Sequence, residues 1–337
     1  MSDARHELVA PHRRRESDRR GVGRVLTRVV ERLAVYVFRG GAWLIGHLPV
    51  SMARGLVRVP LVASYVLWPA KRATVNANFA HVLGLPAGHP EVRRQALAAY
   101  GTYARYVVEL MRLPRLTNDE AAALVDTSNL LPLETWWREN QRGIILTTAH
   151  IGNLEGVARG IARHGWPIAA LADDTSFPEL FAHLMQQRQE WGVKLIPWRN
   201  LRDMYGVLRR NEVLTLLVDW GYRSDGIPVR LFGSWTTLPA GPAALAAKTG
   251  AVIVHIAIRR APDGKRFIVN YSDRIEVTSS APADLARASQ RIADELERTI
   301  GDAPEQWYSF KPLWPASDAE QAELEARAAT MLAPAAG

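Results

Sequence analysis

Two residues of this chain, His150 and Glu155, have the side chains and the spacing of a general base and a carboxylate that orients it. The apolar run 143–149 leads directly into His150, and a helical pattern of apolar residues follows Glu155. His150 is therefore expected where a buried strand passes into a helix. In an open α/β sheet, this carboxyl end of the strands is where ligands bind.

The segment between His150 and Glu155 decides whether the two side chains can meet. Five residues along a regular helix are rotated by about 140°, so a fully helical segment would hold the pair apart. Gly152 and Asn153 predict a turn instead, with Asn153 as the N-cap of the helix. The N–H groups near Gly152 are expected to stabilise an oxyanion. Spacing alone also fits a structural histidine at a strand end.

A second carboxylate, Asp219, follows the buried strand predicted over 213–218 and opens a loop. The carboxyl ends of parallel strands share one edge of a sheet. Asp219 is therefore expected at the same edge as His150. A plain turn-forming role for Asp219 is the alternative.

Two further places are predicted to bind a charged part of a substrate. Arg223, in the loop after Asp219, can pair with that carboxylate or bind a phosphate. Gly241 and Pro242 begin a helix of small residues, and its first N–H groups can bind an anion or oxyanion. The sequence contains no Gly-x-Ser-x-Gly, His-Glu-x-x-His or Gly-x-Gly-x-x-Gly motif.

The 337 residues carry a formal net charge of +8 and are 48% hydrophobic. This balance indicates a substantial core and an anionic partner: nucleic acid, a phosphate-bearing cofactor or an anionic membrane surface. The chain has no cysteine, which excludes disulfides, thiolate catalysis and zinc–cysteine sites. The nine histidines are not clustered as metal ligands, so no metal site is predicted.

The N-terminal region is basic and amphipathic. Residues 1–22 predict a disordered basic arm, either solvated or in contact with anionic lipid headgroups. An amphipathic helical pattern follows to about residue 45. It has an apolar side, an aromatic residue suited to an interface, Trp43, and a basic stripe formed by Arg24, Arg28 and Arg32. This pattern is typical of a helix lying on a membrane surface, and an ordinary packed helix is the alternative.

The longest uncharged runs, 40–53 and 59–70, are shorter than the roughly 18 to 20 residues that span a bilayer, so no transmembrane helix is predicted. A helix is predicted over 90–113. Beyond it the pattern alternates, which predicts a mostly parallel central sheet flanked by helices, of the α/β class, with a helical N-terminal extension. The predicted strands are 143–149, 167–172, 193–197, 213–218, 251–258 and 266–271. The predicted helices are 153–164, 178–191, 200–210, 241–249 and 283–300.

The predicted organisation is one domain over 23–317, which includes a membrane-associating helical segment over 23–70. Residues 318–337 are expected to form a C-terminal helix or tail.

Four sequence blocks, in order, resemble the lysophospholipid-type glycerolipid acyltransferases. They are similar above all to the branch that contains the late lipid A acyltransferases and the mycobacterial phosphatidylinositol mannoside acyltransferase. The blocks are Ala149-His-Ile-Gly-Asn-Leu-Glu155, Val218-Asp219 with Val229-Arg-Leu-Phe-Gly233, Gly241-Pro-Ala-Ala-Leu-Ala-Ala-Lys-Thr-Gly-Ala251 and Pro304-Glu-Gln-Trp307. The resemblance covers roughly residues 70–315.

The resemblance implies transfer of an acyl chain from acyl-CoA or acyl carrier protein to a hydroxyl of a glycolipid, such as a phosphatidylinositol mannoside or a lipid A precursor. His150 would then act as the general base and Glu155 would hold its other ring nitrogen. Asp219 would position the acceptor or support the site, and Arg223 would bind a phosphate. The donor is a substrate, so no cofactor is expected. The site would lie at the cytoplasmic face of the bacterial cell membrane, whose anionic surface would attract the basic chain.

Two alternatives remain open at this point. A basic nucleic-acid-binding protein is suggested by charge and tryptophan content, but the arginines are concentrated at the N-terminus rather than interleaved with aromatic residues, so no nucleic acid is expected. A catalytically inactive lipid-binding relative is the other alternative, and the presence of both His150 and Glu155 argues against it. The acceptor, the acyl chain length and the oligomeric state are not determined by the sequence.

Overall fold

The computed structural model describes residues 22–172 and 178–333, apart from the side chains of residues 22–32, 34 and 178–180. The predicted basic arm lies outside the described residues, except that Val22 already begins the first helix. The N-terminal part is helical, as predicted. Its elements are α1 (Val22–His47), α2 (Val50–Leu67), α3 (Pro69–Leu83) and α4 (Pro90–Arg112).

Helix α4 joins the N-terminal helices to the rest of the protein, because α1, α2 and α3 all pack against it. Ile45, Ala53 and Val108, from α1, α2 and α4, form a small buried apolar cluster. By length and composition alone, α2 could cross a membrane, and only 11% of it is buried in the protein. The uncharged runs did not predict this helix, because Arg54 and Arg58 interrupt them.

The α/β part has the predicted elements. After α5 (Asn118–Ala123), β1 (Val125–Asp126) and α6 (Leu131–Asn140), strands and helices alternate along the chain. They are β2 (Ile144–Thr148), α7 (Leu154–Arg163), β3 (Ile168–Ala172), α8 (Pro178–Glu190), β4 (Val193–Pro197), α9 (Leu201–Arg209) and β5 (Val213–Leu217). Strand β2 is fully buried, since a parallel strand is covered on both faces and its five residues are all apolar or Thr.

The chain then forms β6 (Ile227–Leu231), β7 (Ser234–Leu238), α10 (Gly241–Thr249), β8 (Val252–Arg260), β9 (Phe267–Tyr271), α11 (Pro282–Asp302) and α12 (Asp318–Leu332). The central sheet has the strand order β1-β9-β8-β2-β5-β3-β4. Its pairs are parallel except for β8 with β9, which confirms the predicted α/β fold with a mostly parallel sheet.

A separate antiparallel hairpin, β6–β7, was not predicted. Its two-residue turn is Phe232-Gly233, and both residues have positive φ, 49° and 75°. Tight hairpin turns of this kind favour glycine or asparagine, so phenylalanine in the first position conceals the turn in the sequence. Helix α12 packs against this hairpin and against α11, with Leu324 and Ala328 buried.

Candidate functional site

His150 lies in the turn between β2 and α7, as predicted, and a distant segment holds that turn. Tyr308 N–H donates to the His150 carbonyl (2.9 Å), and Gly152 N–H donates to the Gln306 carbonyl (3.2 Å). Ile151 forms an isolated antiparallel bridge with Trp307. Gly152 has φ +65°, and a Cβ there would lie 2.9 Å from Ile258 Cγ2. The backbone of this turn is therefore fixed on both sides.

The buried carboxylate beside His150 belongs to Asp219. His150 Nδ1 lies 2.7 Å from Asp219 Oδ1, and the His150 backbone N–H donates to Oδ2 at 2.9 Å. Trp307 Nε1–H also donates to Oδ2, at 2.8 Å. The Asp219 side chain is 0% exposed, whereas the His150 side chain is 24% exposed. Because a carboxylate only accepts, Nδ1 carries a proton, and the neutral ring has its lone pair on Nε2.

The electrostatics of the pair favour an ionised Asp219. Burial raises the pKa of Asp219, but the charge and hydrogen bonds of His150, together with the Trp307 donor, outweigh it and lower that pKa overall. Burial lowers the pKa of His150, and Lys311 acts in the same direction, but the Asp219 charge and hydrogen bond raise it overall. The arrangement holds one ring tautomer and stabilises the imidazolium, as a general base requires.

The prediction that Glu155 holds the second ring nitrogen of His150 is wrong, because that nitrogen, Nδ1, contacts Asp219 instead. Glu155 accepts two hydrogen bonds from Arg188 instead, at 2.7 and 3.1 Å. The Arg188 side chain is 4% exposed and lies over the Trp191 ring. Glu155 therefore ties the start of α7 to α8, and it neutralises a buried guanidinium.

The predicted turn at Gly152 and Asn153 is confirmed, with one correction. Asn153 is the N-cap of α7, and its side-chain oxygen accepts from Gly156 N–H at 2.9 Å. The oxyanion role expected of the Gly152 N–H does not fit, since that group already donates to Gln306. The Gly152 N–H is thus used to build the turn itself.

The other predicted binding residues lie apart from the pair. Arg223 is an exposed partner of Asp225, at 2.8 and 2.9 Å, and not of Asp219. Gly241 and Pro242 begin α10 as predicted, with Gly241 exposed and Pro242 buried. Within the described residues, no hydrogen bond joins either of them to His150 or Asp219.

Trp307 contacts the His150–Asp219 pair, and the sequence did not identify it as a residue of the site. The block Pro304-Glu-Gln-Trp307 was found as a resemblance, without a role for its tryptophan. The indole is fully buried, and its N–H donates a hydrogen bond to the Asp219 carboxylate. The neighbouring Tyr308 packs edge-on against the His150 ring, at 6.3 Å between ring centroids.

A second histidine, His255, shows the structural role that was considered for His150. It is buried in β8 between the hydroxyls of Thr147 and Thr299, at 3.2 and 3.1 Å. Burial lowers the pKa of His255 to about 3, so its ring stays neutral. His150 differs in having a carboxylate partner and an accessible side.

The residues predicted to face a membrane are only partly described. Arg24, Arg28 and Arg32 lie within α1, and their side chains are outside the described residues. The Trp43 side chain is 64% exposed. Further large apolar residues on α1 and α2 are also exposed. They are Leu33, Tyr36, Val37, Leu44, Val50, Met52, Leu56, Val59, Val66 and Leu67.

Comparison with known proteins places this site within a recognised family. The sequence model described as bacterial lipid A biosynthesis acyltransferase matches residues 24–315. A phosphatidylinositol mannoside acyltransferase of Mycolicibacterium smegmatis is 26% identical over 298 residues, which cover 85% of this chain and 94% of that relative. Proteins of the same name from two strains of Mycobacterium tuberculosis are 27% identical over 265 residues, covering 75% of this chain and 81% of each relative. The matched range contains His150, Asp219 and Trp307.

Proposed function

Because this chain belongs to the bacterial lipid A biosynthesis acyltransferase family, we propose that it moves a fatty acyl chain from a thioester to a hydroxyl of a membrane glycolipid. The observation that carries the proposal is the hydrogen bond of 2.7 Å between His150 Nδ1 and the buried Asp219 carboxylate. This contact leaves Nε2 of a partly exposed ring as the basic atom, and within the described residues Nε2 forms no hydrogen bond.

The reaction requires one proton to move twice. Nε2 of His150 accepts the proton of the acceptor hydroxyl as its oxygen attacks the thioester carbonyl carbon. The tetrahedral intermediate then expels the thiolate as the C–S bond breaks, and the imidazolium returns the proton to sulfur. Asp219 stabilises the imidazolium between these steps. General-base help of this kind is worth about 10²–10⁴-fold in rate.

The oxyanion of the intermediate needs donors other than Gly152 N–H. The N–H groups of Leu154 and Glu155, in the first turn of α7, form no hydrogen bond with a described residue. We assign them as the candidate donors, since the first N–H groups of a helix have no partner within it.

The names of the relatives support a choice of acceptor. The relatives whose names state an acceptor are phosphatidylinositol mannoside acyltransferases, and one of them is covered over 94% of its length. A phosphatidylinositol mannoside is therefore the first acceptor to test, with a lipid A precursor as the second. Either acyl-CoA or acyl carrier protein can supply the thioester.

The proposal is tested by incubating the purified full-length chain with each donor and each acceptor and by analysing the lipids by mass spectrometry. We expect the mass of one acceptor to rise by one acyl group, with release of an equal amount of free thiol. If no combination yields an ester, the inactive lipid-binding alternative would be favoured.

Membrane association is part of the proposal. Single apolar side chains on a protein surface are common, but α1 and α2 expose many large ones. This number of exposed apolar side chains fits contact with lipid. Deleting residues 1–45 would remove Ile45 from its buried cluster with Ala53 and Val108. Substitution of exposed side chains is therefore the sharper test.

We expect replacement of Trp43 and Leu67 by serine to weaken binding of the full chain to anionic liposomes about tenfold for each side chain, because each loses its burial in lipid. The two side chains are 64% and 79% exposed, so the fold keeps its core. Leu131→Ser, on α6 and 59% exposed, is the matched control. Unchanged sedimentation of the double variant with liposomes would contradict the assignment of this surface.

A further inference from the structure

A cluster of arginines lies beside the turn that carries His150. The Glu109 carboxylate, on α4, connects this cluster to the turn. It accepts from Asn153 Nδ2 at 3.0 Å, from Arg105 Nε at 3.0 Å and from Arg260 at 2.7 Å. Since Asn153 is the N-cap of α7, the residue that ends the catalytic turn shares one carboxylate with two guanidinium groups.

The backbone gives the same placement. Arg260 is the last residue of β8, the neighbour of β2, and therefore lies at the carboxyl edge of the sheet, as His150 does. Its N–H donates to the Gln306 side chain at 2.8 Å, and the Gln306 carbonyl accepts from Gly152. The cluster is thus connected to the catalytic turn by two short hydrogen-bonded routes.

Positive charge exceeds negative charge in this cluster. Arg54, on α2, which packs against α4, contributes a third positive charge that acts on Arg260. Within the described residues Arg54 forms no ion pair or hydrogen bond, and its Nε is buried without a partner. Burial lowers the pKa of Arg260, Glu109 opposes this effect, and the charges of Arg105 and Arg54 lower that pKa further. A buried donor without a partner lowers the stability of the folded protein, and so does unbalanced positive charge. A bound anion would offset both effects.

The guanidinium groups of Arg105 and Arg260 are close together and remain accessible. Arg105 and Arg260 both donate to the Gly264 carbonyl. The side chains of Arg105 and Arg260 are 26% and 10% exposed, so the cluster borders solvent while being largely desolvated. Planar guanidinium groups match the oxygen geometry of phosphate and can bind it through paired hydrogen bonds.

We propose that Arg54, Arg105 and Arg260 bind a phosphate group of a substrate beside the catalytic turn. The inference rests on the proposed acyl transfer for the identity of the substrate. The phosphate has two possible sources: the phosphodiester of the acceptor lipid, or the phosphates of the acyl donor. Through Glu109 and Asn153, the bound phosphate sets the position of the substrate relative to His150.

The test is equilibrium binding, measured by calorimetry on the full-length chain in detergent. The probes are a short-chain phosphatidylinositol and CoA, with diacylglycerol and pantetheine as their phosphate-free counterparts. For Arg54→Gln we expect Kd about tenfold or more weaker for one phosphate probe, because a charge-assisted contact is lost. The affected probe identifies the source, and the phosphate-free counterparts are expected to be unaffected.

Two further variants make the result specific. Arg94→Gln removes the same charge from the first part of α4, away from Arg105 and Glu109. Arg94 is there an exposed partner of Glu91, and this variant should bind like the wild type. Arg54→Lys keeps the charge and should retain most of the affinity. The proposal is overturned if Arg54→Gln binds both phosphate probes as the wild type does, or if the wild type binds neither. Arg54-dependent binding without any acyl transfer would refute the proposed function and leave this site standing.

Discussion

Replacing His150 by alanine is expected to lower kcat/KM for acyl transfer by about 10²–10⁴-fold, the contribution of a positioned general base. Among the described residues, the His150 ring forms a hydrogen bond through Nδ1 alone. Asp219 therefore keeps its hydrogen bonds to Trp307 and to the backbone N–H of residue 150. The measurement is initial rate of ester formation on liposomes that contain the acceptor.

The matched control is His164→Ala, which removes an exposed histidine at the other end of α7. This variant should retain wild-type activity. The thermal midpoints of both variants should lie near that of the wild type. A His150→Ala enzyme that transfers acyl chains at a rate near the wild-type rate would refute the mechanism.

Asp219→Asn is expected to lower kcat by about 10³–10⁴-fold, as happens when an orienting carboxylate of a histidine becomes an amide. The Asn oxygen can still accept from Trp307 Nε1–H and from the His150 backbone N–H. Its amide group then donates to Nδ1, which forces the ring proton onto Nε2. The folded protein therefore holds the wrong tautomer.

The pH profile separates this effect from a loss of structure. A base acts when it is unprotonated, and the Asp219 carboxylate raises the pKa of His150. The acid limb of kcat/KM for the wild type should therefore lie at higher pH than the ordinary histidine pKa of about 6.5. In Asp219→Asn the carboxylate is gone, so the acid limb of the residual activity should move to lower pH.

Glu155→Gln distinguishes the two carboxylates. Glu155 neutralises the buried Arg188, so this variant should lower the free energy of unfolding. Because Glu155 does not bond Nδ1, the acid limb should stay at its wild-type position. An acid limb that moves in Glu155→Gln and stays in Asp219→Asn would restore the pairing that the sequence predicts.

The partner of His150 illustrates what the sequence could not establish. Both residues were predicted at the carboxyl edge of the sheet, each after a buried strand, and the strands are confirmed. Thr148 pairs with Leu217, so His150 and Asp219 each lie two residues beyond a paired position. The pairing depends on β5 lying next to β2, with β3 and β4 further out. Spacing along one segment contains no information about that order of strands.

The arginine cluster escaped the sequence for a related reason. The cluster takes its residues from two helices and a strand, with Arg54 and Arg105 on the helices and Arg260 on the strand. More than two hundred residues of chain lie between the first and the last of them. Arg105 and Arg260 meet at the Glu109 carboxylate because the end of β8 approaches α4, and Arg54 is on α2, which packs on α4. The helices and strands themselves were predictable, because apolar periodicity records burial within each element.

The position of Trp307 in the chain also determines when the site can exist during synthesis. Asp219 obtains its third donor, and the His150 turn its backbone partners, only from residues 306–308. A chain emerging from the ribosome folds from its N-terminus onward. The exposed apolar helices α1 and α2 are therefore made first, and the catalytic pair is completed only when most of the polypeptide has been translated. A nascent chain thus presents its apolar surface well before it can use its histidine.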